Sequence, residues 1–161
     1  MTGACAVCQY SLWRRPPRMP ATLLVVDDEP SDLEFLRTHL TRKGYEVLSA
    51  ANGYEALRVY REHGEPIALL ITDVAMAPVG GIELAEQLQE IQPNLKVVFA
   101  SGYAGAEVLR QADFLGTPAA FLSKPLTAES LLNKVRQILG GTAGFADSSA
   151  AASSGSGQPL Q

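Results

Sequence analysis

The chain has 161 residues, of which 47% are apolar and 19% charged, and its formal net charge is −4. This length suits about one domain, and the composition is that of an ordinary globular chain rather than a disordered one. Three arginines give the first twenty residues +3 and Asp147 gives residues 141–161 −1, so residues 21–140 carry −6. This balance argues against a nucleic-acid binder, which needs clustered Lys and Arg, and it suits binding of a metal cation better.

The two ends of the chain differ in composition from its centre. Residues 1–20 combine prolines with arginines and show no helical or strand periodicity, which predicts a flexible leader. Residues 141–161 are rich in Ser, Gly and Ala, which predicts a disordered tail. Cys5 and Cys8 are too few for a disulfide framework, and no apolar run is long enough to span a bilayer. We therefore expect a cytoplasmic protein that does not enter a membrane.

Between these segments, short apolar runs alternate with helical patterns. The predicted strands are Thr22–Val26, Tyr45–Ala50, Ile67–Thr72, Leu95–Ala100 and Ala119–Leu122. The predicted helices, in chain order, carry Leu33, Leu36 and Leu40, then cover Gly53–His63, carry Leu84, Leu88 and Ile91, lie near Ala104–Gln111, and carry Leu131, Val135 and Ile138. Ser31 and Glu34 predict a capping box at the start of the first helix. Unbroken apolar strands are buried on both faces, so the pattern predicts a doubly wound α/β domain with a parallel sheet.

Polar side chains follow four of the five predicted strands. They are Asp27, Asp28, Glu29, Asp73, Ser101 and Lys124. The second strand ends without such a residue, as expected for an edge strand. In an open parallel sheet the ligand crevice lies beyond the carboxyl ends of the strands, so these side chains should meet there.

Carboxylates that converge on one crevice repel one another unless a cation lies among them, and oxygen ligands favour Mg²⁺. A metal ion, a lysine and a hydroxyl together suit a phosphoryl group, which a carboxylate can attack in line to give an aspartyl phosphate. Taken singly, these residues have simpler explanations. Asp27 and Asp28 could be acids at a helix N-terminus, Lys124 a solvated lysine, Ser101 a turn residue and Phe121 a core residue. These explanations weaken together because the positions share one crevice.

Four motifs at strand ends carry a specific resemblance. They are Leu24-Val25-Val26-Asp27-Asp28-Glu29-Pro30, Ile71-Thr72-Asp73 followed by Met76 and Gly81, Phe99-Ala100-Ser101-Gly102-Tyr103, and Phe121-Leu122-Ser123-Lys124-Pro125. Over residues 21–140 the chain resembles the receiver domain of two-component response regulators, the CheY-like family. The resemblance implies a flavodoxin-like fold with five parallel strands in the order 2-1-3-4-5.

The resemblance also implies roles for individual residues. Asp73 would accept the phosphoryl group, and Mg²⁺ would be bound by Asp27, Asp28, Asp73 and the backbone carbonyl of Ala75. Lys124 would pair with the phosphoryl oxygens.

Three further positions match the family's switch. Ser101 would be the switch hydroxyl, Phe121 the aromatic that turns inward with it, and Tyr103 a gate beside the site. The Lys124–Pro125 peptide matches a bond that is usually cis in the family. One departure is Ala77, which stands where the family commonly has proline, with Pro78 one position later; this predicts an altered loop shape.

The function implied is that of a single-domain response regulator rather than an enzyme. It would take a phosphoryl group from a histidine kinase or a histidine phosphotransfer protein. It would then signal to a protein target through the face formed by the fourth predicted helix, the fifth strand and the fifth helix, since only the predicted tail follows the receiver.

Three alternatives remain open from the sequence. One is a phosphate sink or relay linked to a hybrid sensor kinase, whose receivers have motifs similar to Phe99–Tyr103 and Phe121–Pro125. Another is a phosphohydrolase that uses an aspartyl phosphate, although Ala75 stands where such enzymes carry a general acid. The third is a degenerate receiver that acts without phosphorylation.

Overall fold

A computed structural model describes residues 20–102 and 119–140. The strands are β1 (Thr22–Val26), β2 (Glu46–Ala50), β3 (Leu69–Asp73), β4 (Lys96–Ser101) and β5 (Ala119–Ser123). The helices within these two ranges are α1 (Pro30–Arg42), α2 (Gly53–His63), α3 (Gly81–Ile91) and, as the last helix of the two ranges, Ala128–Leu139. The predicted leader, except Pro20, the predicted tail, Tyr103 and the predicted fourth helix all lie outside the described residues.

The five strands form one parallel sheet in the order β2-β1-β3-β4-β5. This confirms the predicted fold class and strand order. The three central strands are buried almost throughout, whereas β2 lies at an edge and is more exposed. The absence of a reactive residue after β2 therefore agrees with its position in the sheet. None of the helices in the described ranges is long and apolar enough to cross a membrane.

Alternation of side chains divides the core into two parts. One face of the sheet packs against α2 and α3 through Leu24, Val26, Leu70, Val97 and Phe99. The other face packs against α1 and the last helix through Leu23, Val25, Leu69, Ile71 and Val98. Successive strand residues point to opposite faces, so each strand contributes to both parts of the core.

The start of α1 differs from the prediction. The helix begins at Pro30, with Glu29 as its N-cap and no side-chain capping hydrogen bond. Ser31 lies inside the first turn, and its hydroxyl donates to Glu29 Oε1 at 3.2 Å. The predicted Ser31–Glu34 capping box is therefore wrong. Proline suits the first helical position because its φ is already helical and it lacks the N–H that would be unpaired there.

The loop after β3 brings α3 close to the end of that strand. Gly81 begins α3, and its N–H donates to the Val74 carbonyl at 3.1 Å. A Cβ on Gly81 would overlap the backbone carbonyl oxygen of Asp73. The Ala77–Pro78 peptide within this loop is cis. Gly81 thus allows the helix to pack directly against the backbone of Asp73.

We expect Gly81→Ala to lower the free energy of unfolding by about 1–3 kcal/mol, the usual penalty for overpacking. Gly80→Ser is the matched control, because a Cβ there meets only the Val74 carbonyl at 3.5 Å and serine is a favourable N-cap residue. Urea denaturation of both variants measures the difference. Equal stability of the two variants would contradict the close packing inferred for Gly81.

Candidate functional site

The carboxyl ends of β1, β3, β4 and β5 meet at one edge of the sheet. Asp27 follows β1, Asp73 ends β3, Ser101 ends β4 and Lys124 follows β5. Val26 pairs with Thr72, and Asp73 pairs with Ala100, so these strand ends are neighbours. The structure therefore brings the predicted strand-end residues to one place, as expected for parallel strands.

Lys124 is the centre of this cluster. Its ammonium nitrogen donates to Asp27 Oδ2 at 2.8 Å, to Asp32 Oδ2 at 2.7 Å and to Asp73 Oδ2 at 3.1 Å. A lysine ammonium has three N–H donors and no acceptor. Lys124 therefore uses one donor for each of three carboxylates.

The two faces of the sheet explain which groups Lys124 can reach. Asp73 follows Leu69 and Ile71 in the alternation of β3, so it belongs to the face that packs against α1. Asp32 lies in the first turn of α1. Because α1 covers this face, its first turn brings Asp32 to the same lysine as Asp73.

Asp27 is the most buried member of the cluster, with 0% of its surface exposed. Its Oδ1 accepts the backbone N–H of Glu29 at 2.9 Å, while its Oδ2 accepts from Lys124. Burial raises the pKa of Asp27 above its ordinary value, and it outweighs the opposing effect of the Lys124 hydrogen bond. The folded chain therefore bears a penalty for keeping this carboxylate charged.

The pKa of Lys124 is also raised, but here hydrogen bonds outweigh burial. Burial alone would lower the pKa of Lys124, but hydrogen bonds to Asp27, Asp32 and Asp73 raise it above its ordinary value. The ammonium group is thus charged at neutral pH and compensates part of the negative charge around it.

The cluster also has the geometry of a cation site. Asp27, Asp28 and Asp73 each offer one carboxylate oxygen, and these oxygens lie within 4.8 Å of one another. Asp27 is buried and Asp28 is exposed, so the group opens to solvent on one side. A set of carboxylate oxygens fits Mg²⁺ better than a softer metal. Ala75 joins the site through its N–H, which donates to Asp73 Oδ1 at 3.1 Å.

Ser101 ends β4 beside this cluster, and Phe121 lies three residues before Lys124 on β5. Ser101 is 2% exposed, and its carbonyl accepts the backbone N–H of Lys124 at 2.9 Å. Phe121 pairs in register with Phe99 and packs, partly buried, against the core on the α2 and α3 side. The Lys124–Pro125 peptide is cis, as the resemblance implies. The ends of β4 and β5 are thus tied together beside the carboxylates.

Asp32 was missed by the sequence analysis, which considered only residues at strand ends. The available signal was its position five residues after Asp27, in the segment that leads from the first strand end into the first predicted helix. Pro30 adds to this signal, because a helix that begins there puts Asp32 in its first turn.

We expect Lys124→Met to lower the free energy of unfolding by about 3 kcal/mol in the absence of Mg²⁺, because the buried Asp27 would lose its cation. Added Mg²⁺ should restore part of this loss. Urea denaturation with and without Mg²⁺ measures both effects. Lys134→Met, which removes a lysine from the last helix, should change stability by less than about 0.5 kcal/mol. Similar losses in both variants would contradict the role given to Lys124.

A second expectation concerns Asp27, whose pKa is raised from the ordinary 3.8 in the folded chain. The stability that a raised carboxyl pKa contributes is present below the ordinary pKa and is lost as pH rises through the folded pKa. Without Mg²⁺, Asp27→Asn should therefore gain stability relative to wild type as pH rises through this range. Urea denaturation at several pH values measures it, with Glu34→Gln as an exposed control. A loss of stability of Asp27→Asn relative to wild type as pH rises through this range would contradict the penalty inferred for the charged Asp27.

Comparison with known proteins identifies the family to which this chain belongs. The family model described as the response regulator receiver domain matches residues 23–136. The response regulator receiver protein CpdR of Brucella abortus is 35% identical over 117 residues, which cover 73% of this chain and 95% of CpdR. The sensor kinase CckA of the same organism is 33% identical over 119 residues, which are 74% of this chain but only 12% of CckA.

A solved structure leads to the same family. The response regulator receiver domain protein of Clostridium thermocellum superposes with a TM-score of 0.68 at 29% identity, covering 75% of this chain and 95% of that protein. Receiver domains are signalling modules of two-component systems, and they bind Mg²⁺ in an acidic pocket. With its parallel sheet in the order 2-1-3-4-5 and its aspartate cluster at the strand ends, this chain belongs to the response regulator receiver domain family.

Proposed function

We propose that this chain is a response regulator that accepts a phosphoryl group on Asp73 in a Mg²⁺-dependent reaction. The observation that carries this proposal is the contact of Asp73 with Lys124 inside a cluster of carboxylates. A carboxylate beside a fixed cation can approach an anionic phosphodonor that it would otherwise repel. Membership of the receiver family supports the same chemistry.

In the proposed step, a carboxylate oxygen of Asp73 attacks the phosphorus of a phosphohistidine. The new O–P bond forms as the P–N bond breaks, and the electron pair of that bond stays on the imidazole nitrogen. Lys124 lies where its ammonium can neutralise a phosphoryl oxygen, and the Ala75 N–H holds Asp73 Oδ1 in place. Positioning and charge neutralisation are sufficient for this class of transfer.

The metal ion would be held by Asp27, Asp28 and Asp73, with the Ala75 carbonyl as a further ligand. When bound, Mg²⁺ supplies charge that offsets the phosphoryl oxygens and the crowded carboxylates. The buried Asp27 supports this assignment, because a carboxylate that is costly to keep charged gains most from a nearby cation.

We assign the response to phosphorylation to Ser101 and Phe121. The Ser101 hydroxyl would bond the phosphoryl group, and Phe121 would turn further inward as Ser101 moves. The backbone hydrogen bond from Lys124 to the Ser101 carbonyl supports this assignment, because it joins the end of β4 to the residue whose ammonium group contacts Asp73. The output surface would be the face formed by the predicted fourth helix, β5 and the last helix.

The phosphodonor is proposed to be a histidine kinase or a histidine phosphotransfer protein, and the output a protein contact in the cytoplasm. The 35% identity with the receiver protein CpdR over most of its length supports a receiver that acts as a separate protein. The similarity to sensor kinase CckA favours a second candidate, a relay or phosphate sink that serves such a kinase. The phosphohydrolase alternative is disfavoured because Ala75 offers no side-chain acid beside Asp73.

Incubation with acetyl phosphate and Mg²⁺, followed by intact-mass analysis, tests the proposal. Wild type should gain the mass of one phosphoryl group, and the gain should be labile and require Mg²⁺. Asp73→Asn should show no gain, because its amide is a poor nucleophile.

Glu34→Gln is the matched control for this experiment, because it neutralises an exposed acid on α1 and should keep the gain. Labelling of Asp73→Asn at the wild-type rate would refute the assignment of the acceptor. Mixing the phosphorylated chain with an unphosphorylated kinase or phosphotransfer protein separates the two candidate functions, because a relay or sink passes its phosphoryl group to such a protein, whereas a regulator keeps it until hydrolysis.

A further inference from the structure

We propose that Asp32 is a positioning residue that holds Lys124 in the unphosphorylated receiver and competes with the phosphoryl group for its ammonium. The proposal rests on phosphorylation of Asp73 as described above. It adds a regulatory role for a residue of α1 that lies outside the acceptor and the proposed metal ligands. Its direct support is the 2.7 Å contact between Asp32 Oδ2 and Lys124 Nζ.

The three hydrogen bonds of Lys124 leave it no spare N–H donor. Asp27, Asp32 and Asp73 each accept one of them at 2.7–3.1 Å. A phosphoryl group on Asp73 brings three acceptor oxygens and a charge of about −2 to this ammonium. Lys124 can hold more than one phosphoryl oxygen only if it releases a carboxylate.

Burial decides which carboxylate is easiest to release. Asp27 is fully buried, so water cannot take the place of Lys124 at its Oδ2. The Asp32 side chain is 36% exposed, so water can replace the lysine there. Asp32 also lies in the first turn of α1, where the helix dipole stabilises a negative charge. Asp32 is therefore the partner that Lys124 exchanges most readily.

Asp32 opposes phosphorylation whether or not it is released. If Asp32 keeps its bond, it shares the ammonium with the phosphoryl group and lies close to a second anion. If Asp32 releases Lys124, the hydrogen bond that the two residues form in the unphosphorylated state is lost. In both cases the Asp32 contact stabilises the unphosphorylated state more than the phosphorylated one, and so raises the phosphodonor concentration that is needed.

The test compares Asp32→Asn with wild type at saturating Mg²⁺, after the Mg²⁺ dependence of each protein has been measured. The readout is the acetyl phosphate concentration that gives half-maximal phosphorylation by intact mass. We expect this concentration to fall about two- to fivefold in Asp32→Asn, the range for a partly exposed charge pair. Glu34→Gln removes the same charge from the same helix, and its carboxylate accepts from Thr38 instead, so it should match wild type.

A second comparison separates positioning of Lys124 from a general effect of charge or structure. In a Lys124→Gln background the amide keeps a donor for Asp27 but lacks the charge, so Asp32→Asn should no longer shift the half-maximal concentration. An unchanged or higher concentration in Asp32→Asn alone would overturn the inference, as would an undiminished shift in the Lys124→Gln background. Asp73→Asn is included in the same series. Its labelling would overturn the proposed function itself, an outcome distinct from failure of the Asp32 inference.

Discussion

The contacts of one ammonium group with three carboxylates are the interaction on which this site depends. Alternation along β3 places Asp73 on the face of the sheet that α1 covers, and the first turn of α1 brings Asp32 to the same place. Parallel strands bring Asp27 and Lys124 to the same edge. The fold thus concentrates negative charge where water is partly excluded. Lys124 compensates only part of that charge, so the folded chain should favour a bound cation. In the proposed reaction, the same cation would let an anionic phosphoryl group approach.

Lys124 also links Asp73 at the end of β3 to the end of β4. Its side chain contacts Asp73, while its backbone N–H donates to the Ser101 carbonyl at the end of β4. Phe121 is three residues earlier on β5 and packs against the core on the opposite face. A change in what the ammonium group binds is therefore a change at the ends of two neighbouring strands. This arrangement would connect the proposed phosphorylation of Asp73 to the α2 and α3 side of the core.

The features that follow from strand order could be predicted from the sequence, and those that depend on the start of a helix could not. Unbroken apolar strands implied a parallel sheet, and a parallel sheet brings residues such as Asp27, Asp73 and Lys124 to one edge. Asp32 belongs to a helix, and its contact with Lys124 depends on where α1 starts and on how it packs. The capping-box prediction misplaced that start, because the preference of Pro30 for the first helical position outweighed the Ser31–Glu34 pattern. The close approach of Gly81 to Asp73 likewise depends on how α3 packs, which no short sequence pattern predicts.

Asp27 and Asp32 bind the same lysine, but because they differ in burial they have different effects on it. Asp27 cannot exchange Lys124 for water, so it fixes where the ammonium group lies. Asp32 can make this exchange, so it affects how readily the ammonium group is shared with a new anion. A receiver with only the buried partner would hold its lysine in place but would have less opposition to phosphorylation. The exposed acid on α1 thus gives this chain a way to set its phosphorylation threshold without altering the acceptor, the proposed metal ligands or the lysine.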